Sequence, residues 1–103
     1  MYTVIRHYTV TSGSVDDALK QVEAGFVPIV QRIKGFDAYY ALKTGDGGLA
    51  TVSVFETEAG CTESTTAAAN WLQSNTPDFT TDAPRIIAGE TVIHARALAT
   101  AEN

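Results

Sequence analysis

The tract Gly45-Asp46-Gly47-Gly48 limits what this chain can become more than any other stretch. Three glycines in four residues cannot be helix or strand interior, because glycine costs backbone entropy there and reaches positive φ at little steric cost. On either side, residues 36–44 and 49–56 are rich in Phe, Tyr, Val and Thr, side chains that suit a pleated surface. Two strands joined by so short a glycine tract form an antiparallel hairpin. The rest of the chain must be arranged around it.

Upstream, residues 2–10 read as a strand. Alternation sorts Tyr2, Val4, Arg6, Tyr8 and Val10 onto one face and Thr3, Ile5, His7 and Thr9 onto the other. Ser12-Gly13-Ser14 ends it. Ser14 is the candidate N-cap of a helix whose first turn carries Asp16 and Asp17, well placed against the helix dipole. From Val15 the apolar residues Ala18, Leu19, Val22, Phe26, Ile29/Val30 and Ile33 keep helical spacing. Pro28 interrupts the hydrogen-bond ladder and crowds the carbonyl of Ala24, so the spacing predicts one kinked helix, with Gly25 easing the bend and Gly35 stopping it.

Downstream of the hairpin a second helix begins at Thr57 or Glu58 and runs to about Ser74, with Cys61, Thr65, Ala68 and Leu72 as its inward stripe. Asn75, Pro77 and Pro84 bracket a loop. Residues 85–96 form the last strand, with Gly89 a candidate bulge. Residues 1–96 are expected to be one domain and 97–103 a frayed tail. The order β-α-β-β-α-β favours a ferredoxin-like α+β fold: a four-stranded antiparallel sheet with both helices on one face.

Seven Lys and Arg against twelve Asp and Glu leave a net charge of -5, which argues against nucleic acid, whose binding depends on phosphate neutralisation. No apolar run approaches the roughly 18 residues that cross a bilayer. The N-terminus lacks a basic region followed by an apolar one, and the single cysteine, Cys61, cannot make an intrachain disulfide. A cytoplasmic protein is expected. The sheet face away from the helices carries Ile5, Tyr39 and Phe55. Such a bare apolar face is the expected contact of a homodimer.

Several segments resemble the antibiotic biosynthesis monooxygenase (ABM) family: Tyr2-Thr3-Val4-Ile5, Ile33-Lys34-Gly35-Phe36, Tyr39-Tyr40 and Gly45-Asp46-Gly47-Gly48. Thr51-Val52-Ser53-Val54-Phe55-Glu56 and Ala68-Ala69-Asn70-Trp71 extend the likeness, which runs from Tyr2 to about His94. The resemblance implies a dimeric α+β barrel with a ligand chamber between helices and sheet, and a final strand that helps join the subunits. It also implies oxidation of small phenolic or quinone-like compounds by dioxygen, with no metal, flavin or other cofactor. Haem-binding relatives carry a histidine on the second helix and an asparagine on the first strand. Here the second helix has no histidine, and Arg6 stands at the strand-one position. Asn70 adjoins Trp71 directly, whereas the monooxygenase pattern separates the two by about one helical turn.

Arg6 is the most informative candidate. On the helix-facing side of its strand, a guanidinium that cannot lose its charge needs an anion, hydrogen-bond acceptors or water. It is read as a donor to a bound phenolate, enolate or carboxylate, against the plainer reading of a structural partner of Glu90. Tyr8 joins it as a candidate catalytic group, and Tyr40, Trp71 and Asn70 are candidate substrate contacts, each weighed against core packing. His7 and His94 show no metal-ligand spacing and read as interface or solvent-facing. Cys61 reads as a small buried hydrophobe, and no nucleophile elbow or phosphate loop is present. The competing functions are a cofactor-independent oxygenase and a non-catalytic ligand-binding or structural homodimer.

Overall fold

A computed structural model of the protein describes residues 1–74 and 78–98. The first strand, β1 (Tyr2–Ser12), buries Val4, Arg6 and Tyr8 and leaves Ile5 and Thr9 exposed, the alternation expected of a sheet covered on one side. Ser14 caps the next element, its hydroxyl accepting from the amide of Asp17 at 3.0 Å.

The first helix is continuous but not uniform. It runs as α1 (Val15–Gln21), a π-helical turn (Val22–Phe26) and α2 (Val27–Val30). The amide of Val27 donates to the carbonyl of Val22, one residue further back than an α-helix would place it. This widened turn lies just ahead of Pro28 and takes up the ladder disruption that the sequence suggested would appear as a kink. Regular helix stops at Val30 rather than Ile33. Arg32 and Ile33 donate to Ile29 and Val30 in tighter turns, and Gly35 at φ 81° turns the chain into the sheet.

The strands β2 (Phe36–Lys43) and β3 (Gly48–Phe55) form the expected hairpin, with Gly47 at φ 82°. Their register is irregular at one point. Phe36 pairs with Phe55, but Ala38 already pairs with Val54, so Asp37 is an extra residue. Beyond the bulge the faces of β2 are exchanged relative to strict alternation. Tyr39, opposite Ser53, points toward the helices, and Tyr40 is 61% exposed on the outer face. The expectation that Tyr40 faced the helices and Tyr39 the open side is corrected. Phe55, expected on the open face, is fully buried.

Helix α3 (Glu58–Ser74) begins with Thr57, whose hydroxyl accepts from the amide of Gly60 at 3.3 Å. Its buried stripe is Cys61, Ser64, Ala68 and Trp71; Thr65 and Leu72, expected there, are only half-buried. A two-residue strand, β4 (Thr80–Thr81), pairs with the far end of β1. The last strand, β5 (Arg85–Glu90), pairs antiparallel with residues 2–7 of β1. It ends at Glu90, well short of residue 96. Gly89 pairs with Thr3 in unbroken register and is no bulge. Residues 91–98 have no regular structure. Asn75, Pro77 and the tail from residue 99 lie outside the described residues.

The sheet order is therefore β2-β3-β1-β5, all antiparallel, with the helices packed on one face. This is the ferredoxin-like arrangement. Register places Tyr40, Val52, Ile5 and Ile87 in one row across the uncovered face. No helix among the described residues is long and apolar enough to cross a membrane.

Candidate functional site

Beneath the helices, the middle of β1 carries a charge into the core. Arg6 is 1% exposed, and among the described residues no carboxylate lies within salt-bridge reach of it. Glu90, the partner considered from sequence, pairs with Tyr2 at the end of β5 and is exposed. The guanidinium is held by hydroxyls instead. Nη1 donates to Ser64 Oγ at 3.2 Å and Thr65 Oγ1 at 3.1 Å on α3, and Nη2 donates to Ser53 Oγ at 3.1 Å on β3. The Ser64 hydroxyl in turn donates a hydrogen bond to the carbonyl of Cys61 at 2.8 Å. Among the described residues, Nε and Oγ1 of Thr51 are buried without a hydrogen bond of ordinary geometry, although the Tyr8 phenol interacts with the guanidinium and the Tyr39 phenol with Thr51. Arg6 and Thr51 face each other across the β1–β3 ladder.

Both residues line a small hollow of about 30 Å³ between sheet and helices. Tyr8, Tyr39, Phe26, Trp71 and Phe79 supply its aromatic walls, and Val22, Leu49, Ala68 and Leu72 its aliphatic ones. The rings form a tilted series, with Tyr39 and Phe26 at 6.0 Å between centroids and Phe26 and Trp71 at 5.9 Å. The π-helical turn presents Val22 and Phe26 to the hollow, a local geometry that recurs at functional sites. Val22 and Tyr39 also border a second, open groove of about 610 Å³ between the first helix and the edge strand β2. They are common to the linings of both spaces.

The electrostatics are one-sided. Burial pushes the Tyr39 phenol up to about 12, against the pull of the neighbouring Arg6 charge. Tyr8 is raised by burial too, again partly opposed by Arg6. The Cys61 thiol is likewise raised by desolvation. At neutral pH these groups keep their protons, and the guanidinium is the charge of the hollow. Carrying an ion into such surroundings costs several kcal/mol even after relaxation, roughly, unless a counter-charge or acceptors compensate. Three neutral hydroxyls do so in part. Among the described residues no anionic side chain adds to them.

Of the residues singled out from sequence, the structure brings together Arg6, Tyr8 and Trp71 around the hollow. Tyr40 and Asn70 do not line the hollow: Tyr40 is exposed on β2 and borders the open groove beside that strand, and Asn70 is exposed on α3. Tyr39 occupies the place that was expected for Tyr40. His7 lies half-buried on the outer face beside Thr44 and Asp46, and His94 lies in the irregular segment after β5. Among the described residues no group of three or more metal-ligating side chains gathers. Thr51 and Phe79 escaped sequence reasoning. Thr51 carried a usable signal, since a threonine paired with an inward arginine on the neighbouring strand shares its face.

No family model and no curated protein matches the chain. Solved structures do. NE2512, a protein of unknown function from Nitrosomonas europaea, superposes with a TM-score of 0.71 at 21% identity over 95% of each chain. HapK from Hahella chejuensis gives 0.72 at 13% identity, covering 96% of this chain and 100% of its own. SnoaB, a cofactor-independent oxygenase from Streptomyces nogalater, gives 0.60 at 15% identity over 96% of both chains. At these identities the likeness establishes the fold, which is the one the ABM resemblance implied, and leaves the chemistry to the site itself.

Proposed function

We propose that the protein is a cofactor-independent, monooxygenase-like enzyme that binds a small phenolic or quinone-like compound as its anion. The observation that carries this reading is Arg6: a permanent charge, almost wholly buried, with no carboxylate beside it among the described residues, on the wall of an aromatic hollow. An electron-rich phenolate or enolate held there has its charge stabilised by a preorganised donor in surroundings poor in water. Such an anion can pass an electron to dioxygen directly. One oxygen atom then enters the substrate, and the other leaves as water with two hydrogens taken from the substrate itself. No external reductant is needed. The oxygen end of the substrate sits on Arg6, and the ring passes Val22 and Tyr39 into the open groove, whose volume of about 610 Å³ is in the ordinary range for ligand pockets. That SnoaB, with the same fold, is a cofactor-independent oxygenase supports the reading.

The functional unit is proposed to be a homodimer. The row of Tyr40, Val52, Ile5 and Ile87 forms an apolar band on the uncovered sheet face, with Ile87 62% exposed. Val92 and Ile93, 81% and 84% exposed, extend it beyond β5. Two copies related by a two-fold axis would bury the same band on each.

A second reading, a non-catalytic ligand-binding or structural homodimer, is favoured by the inner hollow itself. Its volume of about 30 Å³ admits only one or two water-sized groups, and its phenols are too weakly acidic to act as bases. Oxygen uptake measured with hydroquinone-like substrates and isotopically labelled dioxygen decides between them. Incorporation of one labelled atom per product, lost in Arg6→Met, is the expected result. Substrates that bind without consuming oxygen would leave the second reading standing.

A further inference from the structure

We infer that Thr65, together with Ser64 and Ser53, is a positioning residue of the Arg6 site: neutral hydroxyls fix the guanidinium from two elements and leave its charge to be balanced by a bound anion. This rests on the anion-binding part of the function proposed above. Three of the five guanidinium N–H groups are spent on these hydroxyls, Nη1 on Ser64 and Thr65 of α3 and Nη2 on Ser53 of β3. The Tyr8 phenol, which also interacts with Arg6, keeps its proton and is neutral too. The charged head is therefore pinned between helix and sheet by groups that orient it without neutralising it.

Helix α3 gives up local stability for this arrangement. Ser64 and Thr65 stand inside a 17-residue helix, where both are poorer helix formers than the three alanines that follow at 67–69. The Ser64 hydroxyl is itself fixed by its donation to the carbonyl of Cys61, so its lone pairs are presented to Nη1 in a set direction. Thr65 is only half-buried and borders a cleft of about 280 Å³ between α3 and the strands β1 and β5. A carboxylate at this position would have room and would form the ion pair usual for a buried arginine. The chain places a hydroxyl there instead. Glu58 lines the same cleft and makes no ion pair with Arg6.

Position 65 lets shape and charge be varied separately. The probe is 4-nitrophenol, used as a coloured anion because its phenolate is yellow and its phenol is not, titrated against the full-length protein. In the wild type its pKa should fall by about one unit, a tenfold preference for the charged form. Thr65→Val, which keeps the shape and removes the acceptor, should lower phenolate affinity roughly threefold, and Thr65→Ser should restore it. Thr65→Asn and Thr65→Asp match each other in shape and differ in charge. The first should retain the shift, and the second should abolish it by supplying Arg6 with an internal counter-ion. A residue that only braced the fold would make affinity track melting temperature across the four variants, and that result would overturn the inference. So would equal phenolate binding by Thr65→Asn and Thr65→Asp, or wild-type binding by Thr65→Val. Each of these leaves the anion-binding reading intact. A wild type that leaves the nitrophenol pKa unmoved would instead remove that reading, and the inference with it.

Discussion

Gly25 and Trp71 are in contact through a missing side chain: a Cβ on Gly25 would lie 2.9 Å from Cζ2 and 3.0 Å from Nε1 of the indole. The glycine that the sequence offered as a hinge at Pro28 is the floor on which the tryptophan of α3 rests. Its lack of a side chain lets the π-helical turn approach α3, and the same approach sets Phe26 against the indole.

Gly25→Ala should therefore destabilise the protein, although alanine is the better helix former by about 1 kcal/mol. Overpacking against a ring that closes the hollow costs about 1–3 kcal/mol. A lower melting temperature together with a shifted emission of Trp71, the sole tryptophan, is expected. An unchanged emission would mean that the indole does not rest there.

Arg6→Met should separate stability from binding. Removing a buried charge that has no carboxylate partner among the described residues is favourable, but it strips Ser53, Ser64 and Thr65 of their donor, and the two opposing effects are expected to leave stability within about 1 kcal/mol of the wild type. Chemical denaturation measures the first effect and 4-nitrophenol titration the second. Loss of both together would make Arg6 a structural residue.

Alkali should unfold the protein through Tyr8 and Tyr39. Both phenols are raised in the folded state, Tyr39 to about 12, so the folded chain keeps protons that the unfolded chain loses near the ordinary tyrosine value of 10. That stabilisation is complete below this value. It is lost as pH rises from there toward the folded-state value, at up to about 1.4 kcal/mol per pH unit for each tyrosine. Denaturant midpoints measured against pH should show the fall, and Tyr39→Phe should make it shallower.

Ile87→Glu should yield a monomer. The side chain is exposed on β5, so the fold loses little, but a two-fold interface would meet the new charge twice. Sedimentation equilibrium is expected to give the dimer mass for the wild type and half that mass for the variant, with the circular dichroism of the sheet preserved. A dimer that persists in the variant would move the contact to another surface.

Much of the architecture was legible from local rules. Glycines at 45, 47 and 48 demanded the hairpin, alternation along β1 sent Arg6 inward, and Ser14 announced the first helix. Each of these depends on a few neighbouring residues. The faces of β2 were not legible, because the Asp37 bulge that exchanges them is defined by pairing with β3, and pairing is a property of two strands. The end of β5 at Glu90 was hidden for the same reason: Val92 and Ile93 have strand-like side chains, but the ladder with β1 closes at the Tyr2–Glu90 pair and one further bond from the Thr91 amide to the Met1 carbonyl.

The candidate site divides along the same line. That an arginine would be carried toward the core follows from the alternation of one strand, and hence from the order of residues alone. That its guanidinium is held by Ser53, Ser64 and Thr65, and that Thr51 stands opposite, are outcomes of packing between β1, β3 and α3. Local pattern decides which way a side chain points. Only the assembled elements decide what it meets, because hydrogen-bond partners distant in sequence are brought within reach by the tertiary fold.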